Sequence, residues 1–322
     1  MQGKSLGSRV PVGRLAPSPT GLLHLGHART FVVAWWHLRS RDGTVRLRLE
    51  DLDGPRCEAR WAEEVLRDLE WLGLDWDGPH TLQSQGMSRL KAAVDQLVSA
   101  GLTYPCICSR ADIRHAQSAP QQGVSEIRYP GTCRDRFTSV EQAERVSGRP
   151  AALRFRVPPG PVEWVDGFCG QARVDVHRDV GDFVVAKRDH APAYQLAVVV
   201  DDAAEGITEV HRGADLLPSA ARQLHVRQAL KLPPVTGYHF PLVLDEAGRR
   251  IAKRQEDLSL AELRCGGTDP RAIVGWVART AGIDAAGRLH PREALGVFRM
   301  DQVPRSPVVL TAQSVRSLRE AR

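Results

Sequence analysis

The spacing of apolar and polar positions changes period along the chain, and each change marks an element. Residues 10–16 form a short apolar run that stops at a turn rich in proline and glycine, Pro17 to Gly21, which reads as a strand entering a loop. From Leu25 the spacing becomes helical, with Leu25, Ala28, Val32 and Trp35 on one face. Residues 44–50 alternate apolar and charged side chains and turn over residues 51–55, as a second strand would. Two helices follow, one facing inward with Trp61, Val65, Leu69 and Leu72, the other with Leu90, Ala93, Val94 and Leu97. Strand character returns at residues 152–157. The apolar runs 181–188 and 194–202 are bounded by charge and suit either buried strands or a buried helix. Residues 209–219 lead into a helix through Arg222, Leu224 and Val226, and residues 270–277 are again helix-like.

The first three elements make a β-α-β unit, whose right-handed crossover sets the two strands side by side with their carboxyl ends at one crevice. Glu50, at the end of the second strand, then faces the same crevice as Ser18 and His24. A helix that starts at this crevice offers free N–H groups and its positive end to an anion. His24 and His27 bracket Gly26, which leaves room for a ligand to approach the backbone.

Length and charge narrow the picture. The 322 residues suffice for two domains and a large core. No apolar run reaches the roughly 18 residues of a membrane span, and no charged-then-apolar leader is present, so the expectation is a cytoplasmic protein with residues 1–9 as a flexible extension. The formal charge is +6, and residues 246–322 carry 14 Lys and Arg against 9 Asp and Glu. The excess therefore sits in the last quarter, as a polyanion-binding edge requires; an arginine-rich solvated surface is the plainer alternative.

Six cysteines without regular spacing argue against a disulfide framework. Cys106, Cys108 and Cys133 fall within 28 residues and suggest zinc, for which thiolates are preferred ligands. A fourth ligand is needed, and His115, inside the intervening polar insertion, is one candidate. Cys57, Cys169 and Cys265 are isolated and read as small apolar fillers.

Arg14, Ala16, Pro17, Ser18, Pro19, Thr20 and Gly21, followed by His24, Leu25, Gly26 and His27, resemble the HIGH signature of class I aminoacyl-tRNA synthetases in the form found in the glutamyl and glutaminyl branch. Arg48, Glu50 and Asp53 resemble that branch's Arg-x-Glu-x-x-Asp element, in which the Glu holds the substrate's α-amino group, and residues 71–79 resemble it too. Tyr194 and Arg212 match the Tyr and Arg that hold the amino acid there, the Arg pairing with a carboxylate. Cys106, Cys108, Tyr129 and Cys133 match the Cys-x-Cys, Tyr, Cys ligands of one subgroup, the glutamyl-queuosine tRNA(Asp) synthetase family. Two departures stand out. Val198 replaces an Asn four residues after the Tyr, an exchange that should rebalance the glutamate site. Arg250, Ile251, Ala252, Lys253 and Arg254 replace Lys-Met-Ser-Lys-Ser and keep the central cation but lose a hydroxyl.

The resemblance implies an α/β, Rossmann-like class I catalytic domain with a zinc-binding insertion and a short helical C-terminal segment, without an anticodon-binding domain. Its implied halves are residues 10–103 and 151–245, with the insertion at 104–150 and a phosphate loop and stem-contact-like segment at 246–322. It implies activation of L-glutamate by ATP with Mg²⁺, and transfer to queuosine in the anticodon of tRNA(Asp). Arg14, Leu15, Ala16, Pro17, Ser18, Glu50, Tyr194 and Arg212 would bind glutamate. His24, Gly26, His27 and Lys253 would bind ATP, with His24, His27 and Lys253 catalytic, and one structural zinc would sit on the four insertion residues. A different nucleotidyltransferase shares the His-x-Gly-His crevice but does not need Glu50 with Tyr194 and Arg212. A catalytically silent tRNA-binding relative would be favoured by the weakened 250–254 loop and disfavoured by the intact first motif.

Overall fold

The computed structural model describes residues 10–116, 128–251, 259–285 and 287–322. The expected extension at 1–9, the middle of the polar insertion, and Ala252, Lys253 and Arg254 lie outside the described residues.

Strand β1 (Val12–Leu15) leads through the proline turn into α1 (Leu25–Arg39) and back as β2 (Thr44–Leu49), parallel to β1 with Leu15 opposite Leu47. The strand is shorter than its apolar run because Pro11 and Pro17 flank it. Having no N–H, they contribute only carbonyls, which accept from Thr44 N (2.8 Å) and Glu50 N (3.0 Å). Next come α2 (Ala59–Trp71), β3 (Thr81–Leu82) beside β2, and α3 (Met87–Ser99).

The middle of the chain gives β4 (Thr103–Cys106), α4 (Arg110–His115), α5 (Val140–Ser147), β5 (Ala152–Phe155), a hairpin of β6 (Val162–Asp166) and β7 (Gly170–Val174), a one-turn α6 (Val176–Asp179), and β8 (Val184–Ala186). Strands β4, β5 and β8 form an antiparallel sheet. Of the two ambiguous apolar runs, one becomes β8 and the other α7 (Tyr194–Ala204). Then follow β9 (Glu209–Gly213), α8 (Leu217–Ala229), β10 (Thr236–Phe240) parallel to β9, and β11 (Val243–Leu244). The chain ends with α9 (Leu260–Cys265), α10 (Pro270–Thr280), β12 (Val308–Val309) and α11 (Ala312–Glu320).

Thr208 ties the two parallel sets together, its N–H donating to Val12 O (2.8 Å) and its Oγ1 accepting from Val12 N (2.9 Å). The strand order is thus β3, β2, β1, β9, β10. Crossovers leave β1 and β9 in opposite directions, which opens a crevice at their carboxyl ends, the switch point where ligands bind in such sheets.

Helix α1 is more buried than its amphipathic reading predicts, because Val33, Ala34, Trp36 and Leu38 are covered as well. The sheet covers one side and the C-terminal segment the other. Trp36 Nε1 donates to Pro291 O (2.8 Å), and the fully buried Arg29 donates to Pro241 O (3.0 Å) and Thr280 O (3.3 Å). Residues beyond 259 therefore share one apolar core with the first β-α-β unit, whereas Tyr104, Ile107, Tyr129, Phe137 and Ala143 pack in a small cluster of their own. The cysteine expectation needs correcting: Cys169 and Cys265 are exposed and Cys57 is half-buried, so none of the three fills a core. Among the described residues, no helix is long and apolar enough to cross a membrane.

Candidate active site

At the mouth of β1 the two histidines of the first motif cap α1. His24 is the N-cap residue, with extended backbone; its Nδ1 accepts from Gly26 N (3.1 Å), and His27 Nδ1 accepts in turn from His24 N (3.2 Å). The rings stack with centroids 3.8 Å apart. Since both Nδ1 atoms accept, each neutral imidazole carries its proton on Nε2, a donor suited to phosphate oxygen. Gly26 is needed for a reason the sequence did not show: a Cβ there would lie 2.9 Å from the His24 ring, so the glycine admits the imidazole as well as any ligand.

This helix start borders a cavity of about 470 Å³, which is also lined by Arg14, Ala16, Pro17, Ser18, Glu50, Tyr194 and Arg212. The crevice thus gathers residues from β1, β2, α7 and β9 that are up to nearly two hundred positions apart. Leu15 is the exception, fully buried in the core and not on the cavity wall, which leaves only its backbone available to a ligand. Val198 is also buried in an apolar cluster on α7 and does not border the cavity, so the expected rebalancing at that position is not a matter of direct contact.

Buried charge holds the Arg14 and Glu50 end of the cavity in place. Asp202 Oδ1 accepts from Arg14 Nε (3.0 Å) and from Arg48 NH2 (2.7 Å); Arg48 also reaches Glu50 (3.2 Å) and Glu205 (2.8 Å). Burial pushes the Asp202 carboxyl up, but the two guanidinium groups outweigh it and hold the group at about 2. For Glu50 the balance goes the other way, burial raising it more than Arg48 and Arg14 lower it. A buried carboxylate left short of positive charge is suited to receive a substrate ammonium. Arg212 is fixed by Nε donating to His239 Nε2 (2.9 Å), while its buried NH1 has no partner among the described residues.

The 250–254 segment borders the same cavity through Arg250 and Ile251, Arg250 pairing with Asp215. The chain re-enters beside the first motif, since Ser259 bridges to His24 and Leu260 N donates to Leu23 O (2.8 Å). Lys253 itself is outside the described residues; on one side of it Ile251 lines the cavity, and on the other Ser259 bridges to His24.

In the insertion, the Sγ atoms of Cys106, Cys108 and Cys133 lie within 4.8 Å of one another, with Cys108 and Cys133 3.4 Å apart. The Tyr129 hydroxyl sits 3.4 Å from Cys106 Sγ and 3.9 Å from Cys108 Sγ. A tetrahedral zinc with Zn–S of about 2.3 Å and Zn–O of about 2.0 Å needs S···S edges of about 3.8 Å and S···O edges of about 3.5 Å, so the four side chains fit such an ion. Arg154 Nε donates to Cys106 Sγ (3.2 Å) and would offset the net negative charge of three thiolates on Zn²⁺. His115 is not part of the cluster, which removes it as the fourth ligand.

Motif reading missed Asp202, His239 and a third buried group, in which His37 Nδ1 and His211 Nε2 are 2.9 Å apart beside Glu209. That group resembles a metal site, but Arg41 already supplies the cation, clasping Glu209 at 2.9 and 2.6 Å and lying 3.1 Å from His37 Nδ1. The one local signal for Asp202 was a pair of adjacent acids closing an apolar run, which alone reads as a helix end.

Known proteins resemble this chain along most of its length. The family described as "tRNA synthetases class I (E and Q), catalytic domain" matches residues 11–315. A glutamyl-Q tRNA(Asp) synthetase of Symbiobacterium thermophilum is 41% identical over 95% of this chain and 98% of its own length. One from Nocardia farcinica is 43% identical over 93% of each. Among solved structures, a glutamate tRNA ligase from Elizabethkingia meningosepticum in complex with its amino acid superposes with a TM-score of 0.80, covering 96% of this chain and 68% of that one; at 24% identity this speaks for the fold. With that identity sustained over nearly the full length of both chains, this protein belongs to the glutamyl-Q tRNA(Asp) synthetase family of class I tRNA synthetases.

Proposed function

We propose that the chain activates L-glutamate with ATP and transfers the glutamyl group to queuosine in the anticodon of tRNA(Asp). An oxygen of the α-carboxylate attacks the α-phosphorus of ATP, the bond to the β-phosphate breaks, and pyrophosphate leaves. A nucleophile of queuosine then takes the acyl group and AMP departs. No side chain needs to act as nucleophile, because the substrate carboxylate does.

One observation carries the reading: a single cavity joins the buried Arg212 guanidinium and the buried Glu50 carboxylate to a helix start capped by two imidazoles. The α-carboxylate has to meet ATP, so the carboxylate gripped by Arg212, with Arg14 and Tyr194 beside it, is the side-chain one. Glu50 takes the ammonium group, and the Ala16, Pro17 and Ser18 turn closes over the substrate. Held this way, the two reactants meet as a bound pair. His24 and His27, at the positive end of α1 where Gly26 opens the backbone, and Lys253, two residues past Ile251, stabilise phosphate charge as it shifts toward pyrophosphate. ATP enters as its Mg²⁺ complex, which screens the same charge.

Cys106, Cys108, Tyr129 and Cys133 would hold one structural zinc, whose contribution is to folding of the insertion. In this reading residues 10–103 and 151–245 form the catalytic halves, 104–150 the insertion and 246–322 the phosphate loop and tRNA-facing segment, in a cytoplasmic enzyme. The test is glutamate-dependent ATP–pyrophosphate exchange by the enzyme alone. Exchange should appear without tRNA and fall away with glutamine or aspartate; equal exchange with all three amino acids, or none without tRNA, contradicts the assignment.

A further inference from the structure

Behind Arg212 lies a relay that the proposed reaction does not use. His239 is fully buried, its Nε2 accepts from Arg212 Nε (2.9 Å), and its Nδ1 lies 2.5 Å from Asp166 Oδ2. Asp166 is also buried, and its Oδ1 accepts from the backbone N–H of Phe168 (3.0 Å), Cys169 (2.8 Å) and His239 (3.3 Å). An arginine Nε can only donate, so His239 Nε2 must be the lone pair and its proton must sit on Nδ1, donated to Asp166. The carboxylate can only accept, which fixes the histidine tautomer. Packing fixes the rest: a Cβ on Gly167 would lie 2.3 Å from the Tyr238 ring, and one on Gly237 3.0 Å from Asp166 Oδ2, so the β6–β7 turn sits tightly on β10.

We propose that Asp166 and His239 are positioning residues, which hold the Arg212 guanidinium at the cavity wall, where it meets the substrate carboxylate. The β6–β7 hairpin is then part of the amino-acid site although Asp166 touches no substrate. This rests on the reading of Arg212 as the carboxylate partner, and the experiment separates the two.

Asp166→Asn is the informative variant. Its carboxamide oxygen can keep the three backbone donors, which turns its NH₂ toward His239 Nδ1. The imidazole proton must then move to Nε2 and face the Arg212 N–H, donor against donor. His239→Gln keeps an acceptor for Arg212 and has no tautomer to reverse, whereas His239→Leu removes the acceptor. The readouts are the KM values for glutamate and ATP in pyrophosphate exchange, the glutamate Kd by calorimetry, and the melting temperature.

Asp166→Asn and His239→Leu should each raise the glutamate KM and Kd by about ten- to a hundredfold, the range for a hydrogen bond to a charged group, with the ATP KM nearly unchanged. His239→Gln should stay within about fivefold of wild type, and adding Asp166→Asn to it should cost less than about threefold more, a strongly non-additive pair. Arg212→Ala reports on the underlying reading and should raise the glutamate KM at least as much. If Arg212→Ala does so while Asp166→Asn leaves it unchanged, the relay is refuted and Arg212 keeps its role. If Arg212→Ala leaves it unchanged, both fall. Equal effects of Asp166→Asn on both substrates' KM, together with a lowered melting temperature, would also overturn the proposal by making Asp166 a purely structural residue.

Discussion

Replacing Asp202 by Asn removes one negative charge from the buried centre of the site and keeps the shape. Asp202 is held at about 2, from an ordinary value near 3.8, and is almost wholly inaccessible to solvent. That displacement corresponds to roughly 2 to 3 kcal/mol of stability. Because the folded-state value is depressed, the contribution is fully present above about pH 4 and fades as the pH falls toward 2. In the Asn variant Arg48 keeps Glu50 and Glu205, but Arg14 loses its carboxylate partner and retains a long contact to His211 O (3.5 Å). Removing one member of a buried pair typically costs 3–5 kcal/mol, roughly; with Arg48 still compensated, about 3 kcal/mol is expected here. Urea unfolding at neutral pH should show that loss as a lower midpoint with an unchanged slope. In an Arg14→Met background the same substitution should cost less, since the stranded cation is gone. The glutamate KM should rise as well, Arg14 being free to turn from the cavity. A stability loss below about 1 kcal/mol would mean that the network is screened by water and does not set the geometry of the site.

Further consequences can be checked independently. Lys253→Ala should slow single-turnover adenylate formation about a hundredfold, roughly 3 kcal/mol of transition-state stabilisation, with little change in glutamate affinity; a loss under about threefold would make the loop an ordinary basic turn. About one zinc per chain should be found by elemental analysis, lost in Cys133→Ser and kept in Cys169→Ser, and equal content in both variants would refute the four-ligand assignment. Burial, aided by the Arg41 charge, pushes His37 down to about 3, so the unfolded chain takes up a proton below about pH 6.5 that the folded one refuses. Stability should therefore fall by about 2 kcal/mol between pH 6.5 and 5 from this group alone, and His37→Gln should flatten that slope in pH-dependent urea titrations.

The first motif was legible because its constraints are local. A strand, a proline turn and a helix start place His24, Gly26 and His27 whatever the rest of the chain does, and the β-α-β crossover places Glu50 beside them. Tyr194 and Arg212 were found through resemblance, since an arginine before a glycine is otherwise an unremarkable turn. What sequence could not supply was the partner of each charge. Residues 44–50 read as a strand of alternating apolar and charged positions, yet Arg48 is fully buried because Asp202, 154 positions later, arrives on α7 to compensate it. Asp166 and Arg212 are joined through His239, from three separate strands. The cysteine fillers failed for a related reason: thiol burial depends on what packs over it, and nothing near Cys169 or Cys265 in sequence encodes that.

The central claim is where the glutamate goes, and one measurement addresses it directly. Purified protein, ATP and labelled glutamate are incubated with tRNA(Asp) carrying queuosine and, in parallel, with the same tRNA lacking it. The label is then located by nuclease mapping. The account predicts stable labelling of the queuosine-containing tRNA alone, confined to the anticodon nucleotide. Label on the 3′ end, or equal labelling of both tRNAs, would contradict it.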